Sequence, residues 1–423
     1  MRRHKGLMIV LDGLGDRPIE ALDGRTPLEA ARVPTLDRLA AEGLTGFMSP
    51  LDPWVPVGTQ TGMGMLLGLA RADARLLSRG PVEAAGSGLS LNPGDVAVRC
   101  NLATITPNGT GYDLIDRRAG RISEGVAELL QPIDGLSVGP GIHVKTSPST
   151  HHRAVVALTG KGLSDAVTDT DPGAGLEEEG VLPCAPRDSS AEAGRTADAI
   201  NRLLVAAHEV MEIHPVNRER RARGERPANG LITRGAGMVF STRNLIRYLN
   251  LRTAVITGEG TVVGLGRLFG FDVITDPAFD ASPGTDIAGK LAAAHDALPD
   301  HELVVVHVKA PDVLAHDRNA AGKVQFLERF DAALSGLSLD PNLVVAVTGD
   351  HSTDSNSGRH TGDPVPALVR SPEGRRDKTS SFSESACIGG GLGHISATSF
   401  LCCLLDLMNV THIHNTYEHY FYS

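Results

Sequence analysis

Short apolar runs recur along the chain and end in polar residues. The runs at 7–11, 303–308 and 343–347 are almost wholly apolar and have the length of buried strands. Shorter strand patterns lie at 254–257 and 273–275. Apolar positions at helical spacing predict helices at 26–31, 35–41, 59–69, 244–251, 286–298, 320–337 and 395–408. Strands that alternate with helices predict an α/β fold, with a mostly parallel sheet and helices on both faces.

Local signals refine this pattern. Thr26 and Thr35 precede two of the helical segments and are predicted to cap them. The glycine-rich segment 258–266 is predicted to form a turn. Residues 395–408 are apolar at helical spacing and are predicted to form a core helix. His412, His414 and His419 follow it, and with only one acidic neighbour they are predicted to be surface residues rather than a metal tract.

The middle of the chain has a different character. Strand-like runs at 95–99 and 152–158 are separated by loops rich in Gly, Pro and Asp, and 191–213 is a long amphipathic helix by its apolar spacing. We therefore predict an inserted α+β domain at 76–239, with a discontinuous catalytic domain at 1–75 and 240–423.

Composition narrows the class of protein. A chain of 423 residues is long enough for two domains. The formal net charge of -10 argues against nucleic acid or an anionic membrane as a partner. The first apolar run ends in Asp12, so it is predicted to be a strand and not a signal peptide, and no run is long enough for a membrane span. An odd number of cysteines, 5, predicts free thiols in the cytoplasm.

Metal-type ligands follow the predicted strands. In open α/β sheets, ligand sites lie at the carboxyl ends of strands. A single Asp at such a place is often only a helix cap, but the strand ends and their neighbours together supply three carboxylates and three imidazoles. This is enough for two divalent metal ions, for which carboxylate and imidazole favour Mn or Zn. The candidate ligands are Asp12, Asp312, His316, Asp350, His351 and His360.

A hydroxyl group precedes a predicted helix at Thr59. A loop before a helix N-terminus places backbone N–H groups and the helix dipole where they favour an anion. One interpretation of Thr59 is therefore a residue that acts on a phosphate. The alternative is an ordinary N-cap.

The order and content of the motifs resemble a known family. Matching segments lie at 12–18, 26–31, 79–81, 94–95, 99–101, 116–121, 169–172, 227–229, 307–310 and 360–366. With the candidate metal ligands, they resemble the archaeal-type cofactor-independent (2,3-bisphosphoglycerate-independent) phosphoglycerate mutases of the alkaline phosphatase superfamily. One departure stands out. Where that family has a nucleophilic Ser in a Gly-Ser-Asp-Thr context, this chain has Thr59, followed by Gln60 and Thr61.

The resemblance implies roles for individual residues. It implies one metal on Asp312, His316 and His360. It implies a second on Asp12, Asp350, His351 and Thr59, with Thr59 as the nucleophile. For binding of a small anionic substrate it implies Arg99, Asn101, Arg117, Arg118, Arg121, Asn229 and Lys309. A second arginine-rich run at 218–226 has two interpretations, a solvated surface with Glu partners or a further anion site.

Three functions remain open at this point. The first is interconversion of 3-phosphoglycerate and 2-phosphoglycerate through a phospho-Thr59 intermediate. The second is transfer of a phosphonyl group from a nucleotide-activated donor, such as a CMP-linked phosphonate, to a phosphoglycerate-like acceptor. Thr59, Gln60 and Gly173, which stands where the mutase pattern has His, favour this alternative. The third is a non-catalytic metal-binding or regulatory protein. The expected partner is a small phosphate or phosphonate, and an oligomeric state is left open.

Overall fold

The computed structural model describes residues 3–149, 151–239, 242–337 and 340–411. The chain divides into two compact units, Met1–Ala74 with Thr242–Ser423 and Arg75–Ser241. We call the first the sheet unit and the second the insert unit. His412, His414 and His419 lie outside the described residues, so their assignment to the surface stays a prediction.

The bounds of the regular elements are as follows. The strands are β1 (Gly6–Leu11), β2 (Leu44–Ser49), β3 (Val96–Pro107), β4 (Tyr112–Asp116), β5 (Ser137–Gly139), β6 (Ile142–Pro148), β7 (Arg153–Thr159), β8 (Gly230–Met238), β9 (Thr253–Ile256), β10 (Asp272–Ile274), β11 (Leu303–Val308), β12 (Val344–Thr348), β13 (Ser352–Asp354), β14 (Arg359–Thr361), β15 (Val365–Arg370) and β16 (Gly393–Ser396). The α-helices are α1 (Pro27–Ala30), α2 (Pro34–Ala41), α3 (Thr59–Leu66), α4 (Arg79–Gly86), α5 (Val126–Leu130), α6 (Ala191–Glu212), α7 (Pro215–Ala222), α8 (Leu245–Tyr248), α9 (Gly260–Leu268), α10 (Ile287–Ala297), α11 (Ala310–His316), α12 (Ala320–Ser335), α13 (Glu384–Cys387) and α14 (Ala397–Leu407).

The sheet unit is built around a large, mostly parallel sheet. Its described strands are ordered β10-β9-β11-β1-β12-β15-β2-β16. Pairing is parallel from β10 to β12 and between β2 and β16, whereas β15 is antiparallel to both of its neighbours. One helical layer contains α2, α10 and α12, and another contains α3, α9 and α14. Every residue of the central strand β1 is buried, as expected for a strand covered on both faces. The predicted α/β fold class is confirmed.

The insert unit has an antiparallel sheet with α5 and α6 on one face and α4 on the other. Its strands are ordered β4-β3-β7-β6-β5, and β8 also pairs with β3. Val98 and Cys100 of β3 and Leu203 of α6 belong to one hydrophobic core. Because side chains alternate along a strand, Arg99 and Asn101 lie on the face of β3 opposite this core. The face that carries the predicted anion-binding residues is therefore not the face that packs on α6.

The turn predicted at residues 258–266 is wrong, because most of this segment forms α9. The carboxylate of Glu259 accepts a hydrogen bond from the N–H of Val262 at 2.9 Å and caps the helix. A Cβ atom at Gly266 would lie 2.7 Å from Cγ2 of Val273. This glycine therefore allows a helix to pack closely on β10, a requirement that local sequence cannot reveal.

Two predicted helix starts also differ from the structure. α2 begins at Pro34, so Thr35 lies inside the helix and is not its cap. The N–H groups of Thr35 and Leu36 donate to the carboxylate of Asp331 at 3.0 and 2.8 Å, so a distant side chain replaces the predicted local cap. At the other end of the chain, Ile395 lies in β16, and the last described helix begins only at Ala397.

None of the helices in the described part of the chain combines the length and apolar character that a membrane span requires. The five cysteines are free thiols, as predicted.

Candidate active site

The candidate site lies where three adjacent strands end. β1 aligns in parallel with β11 on one side and with β12 on the other, and the three strands finish at the same level. Residues that directly follow them therefore meet at one edge of the sheet. Asp12 follows β1, Lys309 and Asp312 follow β11, and Asp350 and His351 follow β12.

Two glycines allow the surrounding segments to approach this edge. Gly13 has φ +63°, and a Cβ atom there would lie 2.9 Å from Cα of Asp312. A Cβ atom at Gly62 of α3 would lie 2.0 Å from the carbonyl oxygen of Asp350. Only glycine fits at either contact. The first turn of α3 is thereby packed directly against the segment that carries Asp350.

Thr59 is the first residue of α3, and its hydroxyl group points into the site. Gly58 occupies the N-cap position, so the interpretation of Thr59 as an ordinary cap is wrong. Thr59 Oγ1 lies 2.9 Å from Nζ of Lys309, 3.2 Å from Oδ2 of Asp12 and 3.3 Å from Nε2 of His351. The hydroxyl therefore has a cation, a carboxylate and an imidazole around it.

Hydrogen bonds donated by Nδ1 orient three histidines toward the site. Nδ1 of His316 lies 2.9 Å from the carbonyl of Gly358, and Nδ1 of His360 lies 2.8 Å from the carbonyl of Val57. A carbonyl only accepts, so in both rings Nδ1 carries the proton, and a neutral ring leaves Nε2 as a lone pair. The two Nε2 atoms lie 3.0 Å apart, a separation at which two lone pairs repel unless a cation or proton lies between them.

Nδ1 of His351 is also held by a hydrogen bond, so its Nε2 is the atom that faces the site. The hydroxyl of Thr353 donates to Oδ1 of Asp312 at 2.6 Å and accepts from Nδ1 of His351 at 3.1 Å. Nε2 of His351 then faces Oδ1 of Asp12 at 3.2 Å and Oδ2 of Asp350 at 3.5 Å. Such anchoring of the ring nitrogen remote from the metal is typical of metal-binding histidines.

Hydrogen bonds balance only part of the negative charge on the carboxylates of the site. Among the described residues, Oδ1 of Asp12 and Oδ2 of Asp350 are buried and make no hydrogen bond. Burial and the neighbouring charge of Asp12 raise the pKa of Asp350 to about 6. Burial alone would lower the pKa of His351, but the carboxylates of Asp350 and Asp12 raise it to about 9. A concentration of buried negative charge with unused oxygen atoms fits divalent cations.

The potential ligands form two groups. Asp312, His351 and His360 each bring a ligand atom within 4.8 Å of the others, and Asp12, His307 and Asp350 do the same. His351 lies between the groups, since its Nε2 also approaches Asp12. His316 adjoins the first group, with Nε2 3.3 Å from Oδ2 of Asp312. The six predicted ligands therefore lie close together, and their division between two metals stays a prediction.

His307 and Lys323 also contact the site, although neither was predicted as a site residue from the sequence. Nε2 of His307 lies 2.9 Å from Oδ2 of Asp12. Nζ of Lys323 is fully buried and donates to the carbonyl of Gly13 at 2.7 Å and to Oδ2 of Asp16 at 2.9 Å. Both side chains hold the segment after β1. A histidine inside the apolar run of β11 was the available signal for the first, whereas Lys323 gives none in the sequence.

The insert unit carries a cluster of arginines around Arg99 of β3. Burial and the nearby cations Arg79, Arg153 and Arg234 lower the pKa of Arg99, while Glu83, at 2.8 Å from its Nε, opposes the shift. Arg118 belongs to the same positive region, because it lies close enough to His152 to act on that ring together with Arg153. Burial, Arg153 and Arg118 lower the pKa of His152 to about 4. We call Arg79, Arg99, Arg118, Arg153 and Arg234 the arginine cluster.

The other predicted substrate residues differ in their surroundings. The guanidinium of Arg117 is buried and paired with both carboxylate oxygens of Asp171 at 2.8 and 2.7 Å. Asn101 is half-buried beside Arg99 on β3, and Arg121 is exposed. Lys309 belongs to the sheet unit, where it contacts Thr59.

The contacts of the Asn229 side chain do not support its predicted role in substrate binding. Its side chain accepts from the N–H of Ile105 at 2.9 Å and donates to the carbonyl of Ile105 at 3.0 Å. It also donates to Oε2 of Glu212 at 2.6 Å. These bonds use the amide to join β3 to α6, so Asn229 is structural.

Comparison with known proteins identifies the family. A family model described as 2,3-bisphosphoglycerate-independent phosphoglycerate mutase matches residues 40–217. A phosphoglycerate mutase of this type from Archaeoglobus fulgidus is 41% identical over 408 residues, which cover 96% of this chain and 98% of the relative. One from Methanothermobacter thermautotrophicus is 39% identical over 410 residues, covering 96% and 98%. The chain belongs to the 2,3-bisphosphoglycerate-independent phosphoglycerate mutase family.

Solved structures agree with this membership. The cofactor-independent phosphoglycerate mutase from Thermoplasma acidophilum is 32% identical, with a TM-score of 0.75 over 96% of this chain and 100% of that one. A Pyrococcus horikoshii protein is 30% identical, with a TM-score of 0.80 over 98% of this chain and 100% of that one. The resemblance inferred from the sequence is confirmed at the level of the mutase family.

Proposed function

We propose that this member of the mutase family interconverts 3-phosphoglycerate and 2-phosphoglycerate through a phosphorylated Thr59. The observation that carries the proposal is the position of Thr59 Oγ1, within 3.3 Å of Lys309 Nζ, Asp12 Oδ2 and His351 Nε2. A hydroxyl held between a cation and candidate metal ligands has the surroundings of an activated nucleophile.

Two divalent cations, Mn or Zn, fit the donor set of the sheet unit. The fit rests on buried carboxylate oxygens that make no hydrogen bond within the described part of the chain, and on histidines whose Nδ1 atoms already donate to carbonyl groups. Bound cations would neutralise negative charge on the phosphoryl oxygens during transfer. The residues proposed to hold them are Asp12, Asp312, His316, Asp350, His351 and His360.

The chain's own residues account for the handling of the proton and the charge. In the first half-reaction, a bond forms between Thr59 Oγ1 and phosphorus as the bond from phosphorus to O3 of the substrate breaks. The hydroxyl of Thr59 donates to Oδ2 of Asp12 before the reaction, and the proton that Thr59 loses is the one that the released O3 takes up. In the second half-reaction, a bond forms between O2 of the retained glycerate and phosphorus as the bond from phosphorus to Oγ1 of Thr59 breaks, and the proton that O2 loses returns to Thr59. Lys309 stabilises the negative Thr59 oxygen in both directions.

The arginine cluster is the proposed binding group for the acid. Planar guanidiniums match the geometry of carboxylate and phosphate groups and bind them through paired hydrogen bonds. Arg118 is exposed and, within the described part of the chain, its side chain makes no hydrogen bond or ion pair. It therefore has donors available for a small anion. Arg99 is partly neutralised by Glu83 and contributes to the positive potential around it.

A phosphorus NMR assay tests the proposal. Purified protein with Mn is offered 3-phosphoglycerate, and appearance of the 2-phosphoglycerate signal is the expected result. Acid quenching followed by peptide mass spectrometry should find phosphate on the peptide that contains Thr59. Turnover without any trapped phosphate on that peptide, combined with full activity of Thr59→Ala, would exclude the covalent mechanism.

A second candidate is phosphonyl transfer from a nucleotide-activated phosphonate, such as a CMP-linked one, to a phosphoglycerate-like acceptor. Trp54 favours it. This residue has φ +64° and is 67% exposed, both unfavourable for a tryptophan. An exposed tryptophan on a strained backbone points to a functional requirement, and a nucleobase can stack on its indole ring. Its backbone is fixed against Gly362, where a Cβ atom would lie 2.2 Å from the Trp54 carbonyl oxygen.

Fluorescence separates the two candidates, because Trp54 is the single tryptophan of the chain. CMP should quench the emission if the indole stacks on a nucleobase, whereas inorganic phosphate and 3-phosphoglycerate should leave it unchanged. Unchanged emission with saturating CMP would remove the support that Trp54 gives to a nucleotide donor.

A further inference from the structure

The segment Ala119–Arg121 in the insert unit is a left-handed turn. Its three residues have φ values of +44°, +67° and +59°. Only the central one, Gly120, adopts such values without strain. The turn lies directly after Arg117 and Arg118, and it ends in Arg121, whose side chain is exposed. Something other than local preference must therefore hold this backbone.

A carboxylate supports the turn from one side. Asp116 accepts the N–H of Arg118 and the N–H of Gly120, each at 2.9 Å. Nη1 of Arg226 donates to the same carboxylate at 2.9 Å. Burial opposes the charge on Asp116, but these donors outweigh it and hold its pKa below the ordinary value. Asp116 is thus fixed as an anion that can accept both backbone bonds.

A buried guanidinium supports the turn from the other side. Nη2 of Arg220 donates to the carbonyl of Ala119 at 3.0 Å, and its Nε donates to the carbonyl of Arg226 at 2.9 Å. Nη1 of Arg220 pairs with Glu225 at 3.0 Å. Arg220 is only 7% exposed, so its donors are committed to these partners. A buried charge satisfied in this way is a structural device and not a free binding group.

The two arginine-rich segments therefore differ in function. Within the described residues, the side chains of Arg118 and Arg121 make no hydrogen bond or ion pair, whereas those of Arg220 and Arg226 hold the turn between them. We propose that Arg220 and Arg226 are positioning residues, which keep the Ala119–Arg121 turn left-handed so that Arg118 and Arg121 are presented to the anionic substrate. This inference rests on the proposed function.

The affinity for substrate should depend on the fraction of molecules in which the Ala119–Arg121 turn is left-handed. If binding needs the left-handed turn, the apparent affinity falls in proportion to the fraction of molecules that adopt it. Loss of the bond to the Ala119 carbonyl should therefore weaken binding of the substrate without altering the sheet unit. A structural residue with no such link would change stability but not substrate affinity.

Arg220→Met tests the link, with Arg218→Met as the matched control. Arg218 lies on the same helix, α7, and is exposed. For Arg220→Met we expect KM for 3-phosphoglycerate to rise about tenfold, with kcat and Mn content close to those of the parent. Hydrogen exchange at the N–H groups of Arg118 and Gly120 should become faster. Arg218→Met should change neither quantity.

A rescue variant distinguishes positioning from general damage. Glycine accepts positive φ, so Ala119→Gly in the Arg220→Met background should recover part of the lost affinity. Unchanged exchange in Arg220→Met would overturn the proposal, and so would faster exchange with an unchanged KM. If the parent does not turn over 3-phosphoglycerate, the proposed function fails separately. The dissociation constant for 3-phosphoglycerate from calorimetry then replaces KM, with the same expected outcomes.

Discussion

Nζ of Lys309 donates a hydrogen bond to Oγ1 of Thr59 at 2.9 Å. The same ammonium group lies 3.0 Å from Asp12 and 2.6 Å from Asp312. Burial alone would lower the pKa of Lys309, but the carboxylates of Asp12 and Asp312 raise it above its ordinary value. Lys309 therefore stays protonated beside the hydroxyl of Thr59, where its charge stabilises an oxyanion.

The first prediction concerns this cation. Lys309→Met keeps an unbranched side chain of nearly the same length and removes its charge, so kcat should fall by about 100-fold or more, in the range for loss of one oxyanion donor. Mn binding should be retained or become tighter, because a positive charge has been removed beside the carboxylates. Steady-state kinetics and metal analysis of the purified variant measure both quantities. Loss of Mn together with activity would show that Lys309 acts on the metal site instead.

The second prediction concerns Asp350. Its Oδ2 makes no hydrogen bond among the described residues, and Oδ1 accepts the N–H of Gly13 at 3.3 Å. Asp350→Asn keeps an acceptor for Gly13 and removes a charge that repels Asp12. The metal-free variant should therefore be at least as stable as the metal-free parent. Its stabilisation by Mn should be lost, against about 2.7 kcal/mol for a parent with Mn at 100 times the dissociation constant.

Thermal unfolding with EDTA and with Mn measures this difference. Asp296→Asn, on the exposed face of α10, is the matched control and should respond to Mn as the parent does. Asp350→Asn with the parental response to Mn would mean that Asp350 is not a ligand.

The third prediction uses His152 as a reporter of the arginine cluster. Burial, Arg153 and Arg118 lower the pKa of His152 to about 4. A bound anion stabilises the protonated ring, so 3-phosphoglycerate should raise this pKa, and Arg118→Ala should raise it in the free protein. NMR titration of the His152 ring in labelled protein gives both values. Binding of 3-phosphoglycerate with no change in the His152 pKa would place the anion away from Arg118.

Local patterns were sufficient for the framework of the sheet unit. β1 and β12 are apolar runs that end abruptly in Asp12 and Asp350, because a strand covered on both faces has no polar side until it leaves the sheet. The parallel order of the strands then brings their carboxyl ends together. His316 and His360 were candidates only as sequence neighbours of these strand ends, and periodicity could not place their side chains in the site.

The remaining features depend on contacts between distant segments. Asp331 caps α2 from another helix, and Gly266 allows α9 to pack on Val273. Asn229 matches the family motif, yet its amide is used by Ile105 and Glu212. A motif identifies which residues matter, but only the surrounding structure separates a residue that binds ligand from one that supports it.

The fourth prediction concerns the nucleophile. Thr59 carries a methyl group on the carbon that bears Oγ1, which restricts its rotamers and crowds the approach to phosphorus. Thr59→Ala should abolish transfer, because no other described hydroxyl occupies the position between Lys309, Asp12 and His351. Thr59→Ser should keep transfer, since the oxygen and its neighbours remain.

Thr59→Ser also tests whether the methyl group of Thr59 determines which donor, a phosphomonoester or an activated phosphonate, can react. With less crowding, we expect this variant to shift toward phosphomonoester chemistry, including conversion of 3-phosphoglycerate to 2-phosphoglycerate. Parent, Thr59→Ser and Thr59→Ala are compared with saturating Mn on 3-phosphoglycerate and on a CMP-linked phosphonate, with products followed by phosphorus NMR. An unchanged ratio of the two activities in Thr59→Ser would rule out selection by the methyl group. Activity of Thr59→Ala on either donor would require direct attack by the acceptor, because the alanine side chain has no oxygen that can bond to phosphorus.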